Sequence, residues 1–379
     1  MMNKTNIVYI LRAPAPYWIS GLDGMTTAWQ DLGETHLICA ELHTDSLHPW
    51  KTDYLKPKKT ILHHCPPRHR IFGTPWPSWE MWKLLNQINP QVVVIHEFSP
   101  YAVFSGMAWA KAHNRLCILS TDVGPVKQQE FSSVHRFIQK SILSLADGVI
   151  ARTPDARNYG QQLSKETLLA PHAISILPFA IEETTPRKCR PSKRRLLQVG
   201  CLIPCKGVDL LLAAFAEVVK VNPDVELVLL GSGDKEHVSE IARTLRIENY
   251  LIFKEFLQPP EVVLEYRAAD AFVLASRLDT YGVVVHEAAA SGLPLVISKF
   301  AGASETLVQE GKNGYVIDPY DTKTFSARLL EVLKETNHDR FRRESLQLAK
   351  EFDVESLGKQ TRKWIEHLLF LKKPPQLET

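Results

Sequence analysis

The sequence predicts an α/β protein of two domains, each built on a parallel sheet of the nucleotide-binding kind. Three observations lead there. The chain has 379 residues, more than one ordinary core organises and enough for two. Short runs rich in β-branched residues alternate with helical stretches through both halves, which is the pattern of a parallel sheet covered by helices. A polar, proline-bearing run, EETTPRKCRPSKR at 182–194, divides the two series and reads as a linker. With 45% hydrophobic and 23% charged residues, the composition supports compact cores and excludes extended disorder.

In the first half, strands are expected at 6–11, 36–42, 60–64, 91–97, 115–121 and 146–152, with helices at 24–33, 76–88, 101–112 and 130–145. The segment 66–82 is broken by prolines and reads as a loop whose aromatic residues cover a groove or a membrane-facing patch, or pack in the core. AISILPF at 173–179 is strand-like. After the linker, strands are expected at 195–200, 225–231, 251–256, 271–276 and 293–299, and helices at 208–222, 235–246, 260–269 and 282–292. The amphipathic stretch 351–373 predicts a closing helix, packed on the first domain or facing lipid.

The formal charge of +3 is too small to argue for nucleic acid. It is uneven, since 1–190 holds 20 basic and 15 acidic residues and 191–379 holds 25 and 27. The first half could therefore face an anionic acceptor or a membrane surface. Six cysteines without a close CxxC pair exclude a disulfide framework or zinc ribbon, and ten histidines in 1–190 form no HExxH. No metal site or bound cofactor is expected. Neither a signal peptide nor a run of some 18 apolar residues is visible, so the expected location is the cytoplasm, with the cytoplasmic face of a membrane as a peripheral alternative.

Open α/β sheets bind ligands beyond the carboxyl ends of their strands. In the second half the first such loop is VGCLIPCKG at 199–207, where Gly200 and Gly207 let the backbone turn and Lys206 stands before a helix N-terminus, suited to a diphosphate. LLGSGD at 229–234 adds Gly233 and Asp234 at a second strand end. SRLDTYGVVVHEAAASGLP at 276–294 is the strongest constellation. Asp279 and Glu287 form a pair able to accept hydrogen bonds from sugar or ribose hydroxyls, with backbone donors near Tyr281 and Gly282 and a weaker candidate at Glu305. A plain salt bridge is the competing reading for Glu287, and His286 is assigned to packing or the surface. In the first half, Gly24 is expected at a helix start with its amide near an anion, and Asp23 as a cap or an acceptor contact. His96 and Glu97 end one strand and Asp122 another, making them candidates for the acceptor or the reacting sugar.

The motifs VGCLIPCKGVDLLLAAF, LDTYGVVVHEAAASGLP and FAGASETLVQEGKNGYVIDP resemble those of glycosyltransferase family 4, within the glycosyl transferases group 1. The resemblance is specific over about 195–330, and its signature is two acidic residues, Asp279 and Glu287, set as that family sets its pair. It implies the GT-B fold, two facing Rossmann-like domains with an interdomain cleft. An acceptor-side domain at 1–182 and a linker at 183–194 would precede a donor domain at 195–350 and a crossover helix and tail at 351–379. It implies metal-independent transfer, with retention, of a sugar from a UDP-, GDP-, ADP- or TDP-sugar to a hydroxyl of a glycan, lipid-linked or small-molecule acceptor. Lys206 would hold the diphosphate, Glu287 the ribose and Asp279 the transferred sugar, with Gly24 completing the phosphate site. The family's arginine is replaced by Cys201, its usual glutamate by Asp279, and its histidine at the TDVG turn by Val123, which leaves His96 as a substitute. A non-catalytic homologue that binds a glycan or partner, a nucleotide-sugar epimerase and a glycosyl phosphorylase remain alternatives. Nothing in the sequence sets the oligomeric state.

Overall fold

The structure, a computed structural model, describes residues 4–42, 47–67, 70–71, 74–75, 79–129, 131–179 and 193–372. Residues 183–192 of the expected linker and 373–379 of the expected tail lie outside the described residues, as does much of 66–78. The chain divides into two compact units, one of Met1–His43, Lys51–Ala173 and Phe352–Thr379, the other of Thr44–Trp50 and Ile174–Glu351.

The first unit holds a seven-stranded sheet. Its spatial order is Ile61–His64, Thr35–Cys39, Ile7–Leu11, Val92–His96, Leu116–Thr121, Gly148–Ala151 and Glu166–Leu169, paired in parallel throughout. The central strands are buried along their length, as strands covered on both faces are. The winding reverses between Ile7–Leu11 and Val92–His96, so a crevice for ligands is expected beyond those two carboxyl ends. One face packs Val8, Ile10, Val93 and Ile95 against Met81, Leu85, Tyr101 and Trp109. The other packs Tyr9, Val94 and Ile118 against helix Pro16–Trp29 and the closing helix Val354–Lys372.

The first helix departs from expectation. It runs Pro16–Trp29 rather than 24–33, because Pro16 fits the first helical turn, where its fixed φ is favourable and its missing N–H costs nothing. Gly24 therefore lies inside the helix, not at its start. A Cβ there would come within 2.7 Å of Val354 O, and one at Gly358 within 2.9 Å of Gly24 O, so the two glycines let the helices touch backbone to backbone. The segment 173–179 is not a strand of the sheet. That place is filled by Glu166–Leu169, which follows helix Pro154–Gln162. Residues 101–112 are helical with a π turn at Val103–Met107.

The second unit holds a six-stranded parallel sheet, in the order Leu251–Lys254, Val225–Leu230, Arg194–Val199, Ala271–Leu274, Leu295–Ser298 and Gly314–Ile317. Leu196, Leu227, Leu229, Val273 and Val296 on one face meet Leu211, Phe215 and Val218 of helix Val208–Val221 and Phe325 and Leu329 of helix Thr322–Val332. Its winding reverses between Arg194–Val199 and Ala271–Leu274, which points to the loops after those strands.

Candidate active site

The loop after Arg194–Val199 is shaped by glycines. Gly200 has φ +145°, and the chain then runs beside Gly231–Gly233. A Cβ at Gly233 would meet Leu202 O at 2.5 Å, so the glycine lets the two backbones run side by side. Pro204–Lys206 makes one 3-10 turn, and Gly207, at φ +63°, starts helix Val208–Val221 with no room for a side chain against Ala275 O. Lys206 thus stands just ahead of a helix N-terminus, where backbone N–H groups and the helix dipole favour an anion.

The loop after Ala271–Leu274 supplies its partner. Asp279 is pinned by its own N–H on Phe300 O at 3.1 Å and by Gly302 N–H on its carbonyl at 3.3 Å. Its Oδ2 accepts from Lys206 Nζ at 2.6 Å. Burial alone would lower the Lys206 pKa, but the Asp279 carboxylate outweighs it and holds the ammonium above its ordinary range. Gly282, at φ +89°, then starts helix Val283–Ala290. Glu287 lies on that helix and accepts from Tyr266 Oη at 2.8 Å. Its partly buried carboxyl is pushed up to about 7 by desolvation, against the opposing pull of the Tyr266 hydrogen bond. The chain here carries a pre-set cation–carboxylate contact and a second carboxyl poised to ionise near neutral pH.

The other candidates lie nearby in the second unit. Glu305 is exposed in the short helix Ser304–Leu307. Tyr281 is buried, and its carbonyl accepts from Ala303 N–H at 2.7 Å. His286 is fully buried, with Nε2 3.1 Å from Ala349 O, which bears out packing. Asp234 caps helix Lys235–Leu245 through His237 N–H. Cys201 is buried with its Sγ 3.3 Å from His48 Nε2.

Sequence reasoning missed three residues here. Arg277 grips Asp209 with two bonds of 2.7 and 2.5 Å and donates to Pro204 O at 2.8 Å, tying down the turn that carries Lys206. Tyr266 sets Glu287. Gln198 is 1% exposed with neither amide atom paired among the described residues, and its Nε2 lies 3.3 Å from where a Gly200 Cβ would stand. A glutamine in the otherwise apolar LLQVG at 196–200 was the one local signal.

In the first unit His96, Glu97 and Asp122 gather at the carboxyl end of the sheet. The His96 ring lies 4.2 Å from Trp18 and 6.4 Å from His172 between centroids. His96 Nε2 is 3.4 Å from Glu97 Oε1, a contact that holds the Glu97 carboxyl below its ordinary range. Asp122 Oδ1 and His172 Nε2 meet at 2.9 Å, both buried. Desolvation lowers the His172 pKa against the raising pull of Asp122. Arg152 lies over the Trp18 ring at 5.0 Å and donates to Ser120 Oγ and Ala170 O. Tyr17, Trp18, Arg152 and His172 line a small cavity of ≈ 50 Å³. Trp18, Arg152 and His172 were not foreseen.

Gly24 and Asp23 do not join this group. Gly24 is closed off by Val354, and its amide is inside a helix. Asp23 takes the N–H groups of Lys58, Lys59 and Thr60 at 2.8 to 3.1 Å, which fixes that loop. Among the described residues, no group of three or more His, Cys, Asp or Glu is placed to hold a metal ion.

Comparison with known proteins agrees with this layout. Residues 182–347 match the family described as glycosyl transferases group 1. Over 222 residues the chain is 28% identical to a D-inositol 3-phosphate glycosyltransferase of Corynebacterium diphtheriae, covering 54% of this chain and 52% of that one. It spans about half the length, or less, of the first curated relatives it matches. Among solved structures, Anabaena Alr3699/HepE superposes with a TM-score of 0.75 at 16% identity, covering 96% of this chain and 100% of that one. A sucrose-phosphate synthase from Thermosynechococcus elongatus gives 0.72 at 16% identity, covering 97% and 100%. Both units carry the Rossmann-like arrangement of the GT-B structures, and residues 182–347 are similar to the glycosyl transferases group 1.

Proposed function

We propose that the protein is a retaining glycosyltransferase that moves a sugar from a nucleotide-sugar donor to an acceptor hydroxyl without a metal ion. The observation that carries this is the Lys206–Asp279 contact at the reversal point of the second sheet, with Glu287 one helix further on. Lys206 and the backbone donors behind it suit the diphosphate, Glu287 the paired ribose hydroxyls and Asp279 a hydroxyl of the transferred sugar. In the reaction the acceptor oxygen bonds to the anomeric carbon as the bond to the diphosphate breaks. The departing diphosphate oxygen takes the acceptor's proton, with Lys206 steadying the charge that develops on it. His96, Glu97 and Asp122, beside Trp18 and His172, are the proposed acceptor group. Their histidines can accept or donate a hydrogen bond without a fixed charge.

Uridine diphosphate sugars are the first donors to test, because the HepE structures are complexes with UDP, with UDP and glucose, and with UDP-glucose. The acceptor is a hydroxyl of a glycan, a lipid-linked sugar or a small molecule. The cysteines described are free thiols, which agrees with a cytoplasmic setting. Calorimetry and product detection with UDP-, GDP-, ADP- and TDP-sugars, with magnesium and with chelator, test the reading. One donor class should bind equally in both media, and Glu287→Ala should abolish that binding. Absence of binding by folded protein, or binding only with metal, would overturn it.

A further inference from the structure

Gln198 is buried in the second unit with neither Nε2 nor Oε1 holding a hydrogen-bond partner among the described residues. Asp270, His286 and Asn313, buried in the same unit, each hold one, in Arg194, Ala349 O and Leu307 O. Gln198 lies on the central strand Arg194–Val199, opposite Leu229 and two residues beyond Leu196, both fully buried. An unpaired amide among such neighbours costs stability, and an apolar side chain of the same size would fill the space without that cost. The amide also has a direction. Its Nε2 comes within 3.3 Å of where a Gly200 Cβ would stand, so it reaches forward to the start of the loop that carries Lys206. That loop begins at Gly200 and ends at Gly207, with φ +145° and +63°, two positions where the backbone turns at little cost. The Gly200 and Leu202 N–H groups are tied to Leu230 O at 2.9 Å and Ser232 O at 2.7 Å, which leaves the peptide between Gly200 and Cys201 directly above the amide.

We infer that Gln198 is a positioning residue for the donor's diphosphate, whose binding brings the Gly200 carbonyl onto the Gln198 Nε2–H. A trans peptide points its C=O and N–H in opposite directions. Drawing the carbonyl inward therefore turns the Cys201 N–H outward, toward an anion held beside Lys206. Gly200 permits the movement because it has no Cβ to strike the amide. The cost of the unpaired amide falls on the unloaded protein and is relieved in the loaded one, so the difference between the two states adds to affinity for the diphosphate. A buried water on Gln198 would relieve that cost in both states and make affinity indifferent to the side chain at this position. The inference rests on the donor reading given under the proposed function, and it adds to that reading a residue that never touches the donor itself.

The test is Gln198→Met, which keeps the length and shape of the side chain and removes both hydrogen-bonding atoms; Gln198→Leu replaces it if that variant does not fold. Calorimetry of the full chain with uridine, guanosine, adenosine and thymidine diphosphates, each beside its monophosphate, should find a diphosphate that the unaltered protein binds. The variant should bind that diphosphate about tenfold or more weakly and its monophosphate with little change. Without nucleotide it should melt at the same temperature or higher. Hydrogen exchange supplies a second readout, since saturating diphosphate should slow the amides of 200–206 in the unaltered protein and slow them less in the variant. Equal diphosphate affinity in the folded variant would overturn the inference while the donor reading stands, and would assign the amide to packing or to a buried water. An equal loss for diphosphate and monophosphate would overturn it too, as general damage to the unit. No binding of any of the four diphosphates by the folded, unaltered protein would overturn the donor reading and this inference together.

Discussion

Glu287 is where the second unit responds to pH. A carboxyl raised in the folded state favours the protonated form, so its support for the fold is complete below the ordinary carboxylate range. That support is lost as pH rises through about 7. Ribose hydroxyls that donate to it need the carboxylate, so donor affinity should rise between pH 6 and 8 with release of up to one proton, about. Calorimetry in buffers of different ionisation heat reads this directly, and Glu287→Gln should flatten the profile. Tyr266→Phe removes the hydroxyl that donates to Glu287; it should cost about 1 kcal/mol of stability and move the pH response upward. Because Lys206 and Asp279 touch, their roles separate only by comparison. Asp279→Ala should lower transfer more than it lowers binding of free nucleoside diphosphate, while Lys206→Ala should damage both. Equal losses for Asp279→Ala would mean that it acts only through Lys206.

Gly24 shows how an element's bounds decide a residue's meaning. Within Pro16–Trp29 it is a packing residue, so Gly24→Ala should destabilise the protein by about 1–3 kcal/mol as Val354 is pushed away, yet leave nucleotide affinity unchanged. A thermal melt beside a binding titration separates these, and a selective loss of affinity would restore a ligand role. The central strands were legible because burial on both faces leaves runs such as NIVYIL and QVVVIHE, and their ends shifted by only a residue or two. Glu166–Leu169 was not legible, since an edge strand is half exposed and lacks that run, and with it went the position of His172. Asp279 and Glu287 could be found because one loop and one helix carry them. Their partners Lys206 and Tyr266 are 73 and 21 residues away, so only the folded chain shows which side chains meet.

At the scale of the molecule, the first unit is assembled from both ends of the sequence. Leu357, Ile365 and Leu368 of the closing helix complete the apolar layer begun by Leu22, Met25 and Trp29, and Arg362 holds Asp31 with two bonds of 2.6 and 2.9 Å. Deleting residues 352–379 should therefore lower stability by several kcal/mol at about 25 cal/mol per Å² of apolar surface exposed. Chemical denaturation followed by tryptophan fluorescence, with Trp18 and Trp29 beneath the helix, measures it. An unchanged midpoint would show the layer to be complete without it. The same construction sets an order of events at the ribosome. Domains ordinarily fold as they emerge, first one and then the next. Here the face formed by Leu22 and Met25 waits, uncovered, while more than three hundred further residues are translated, and the unit made first is the one finished last.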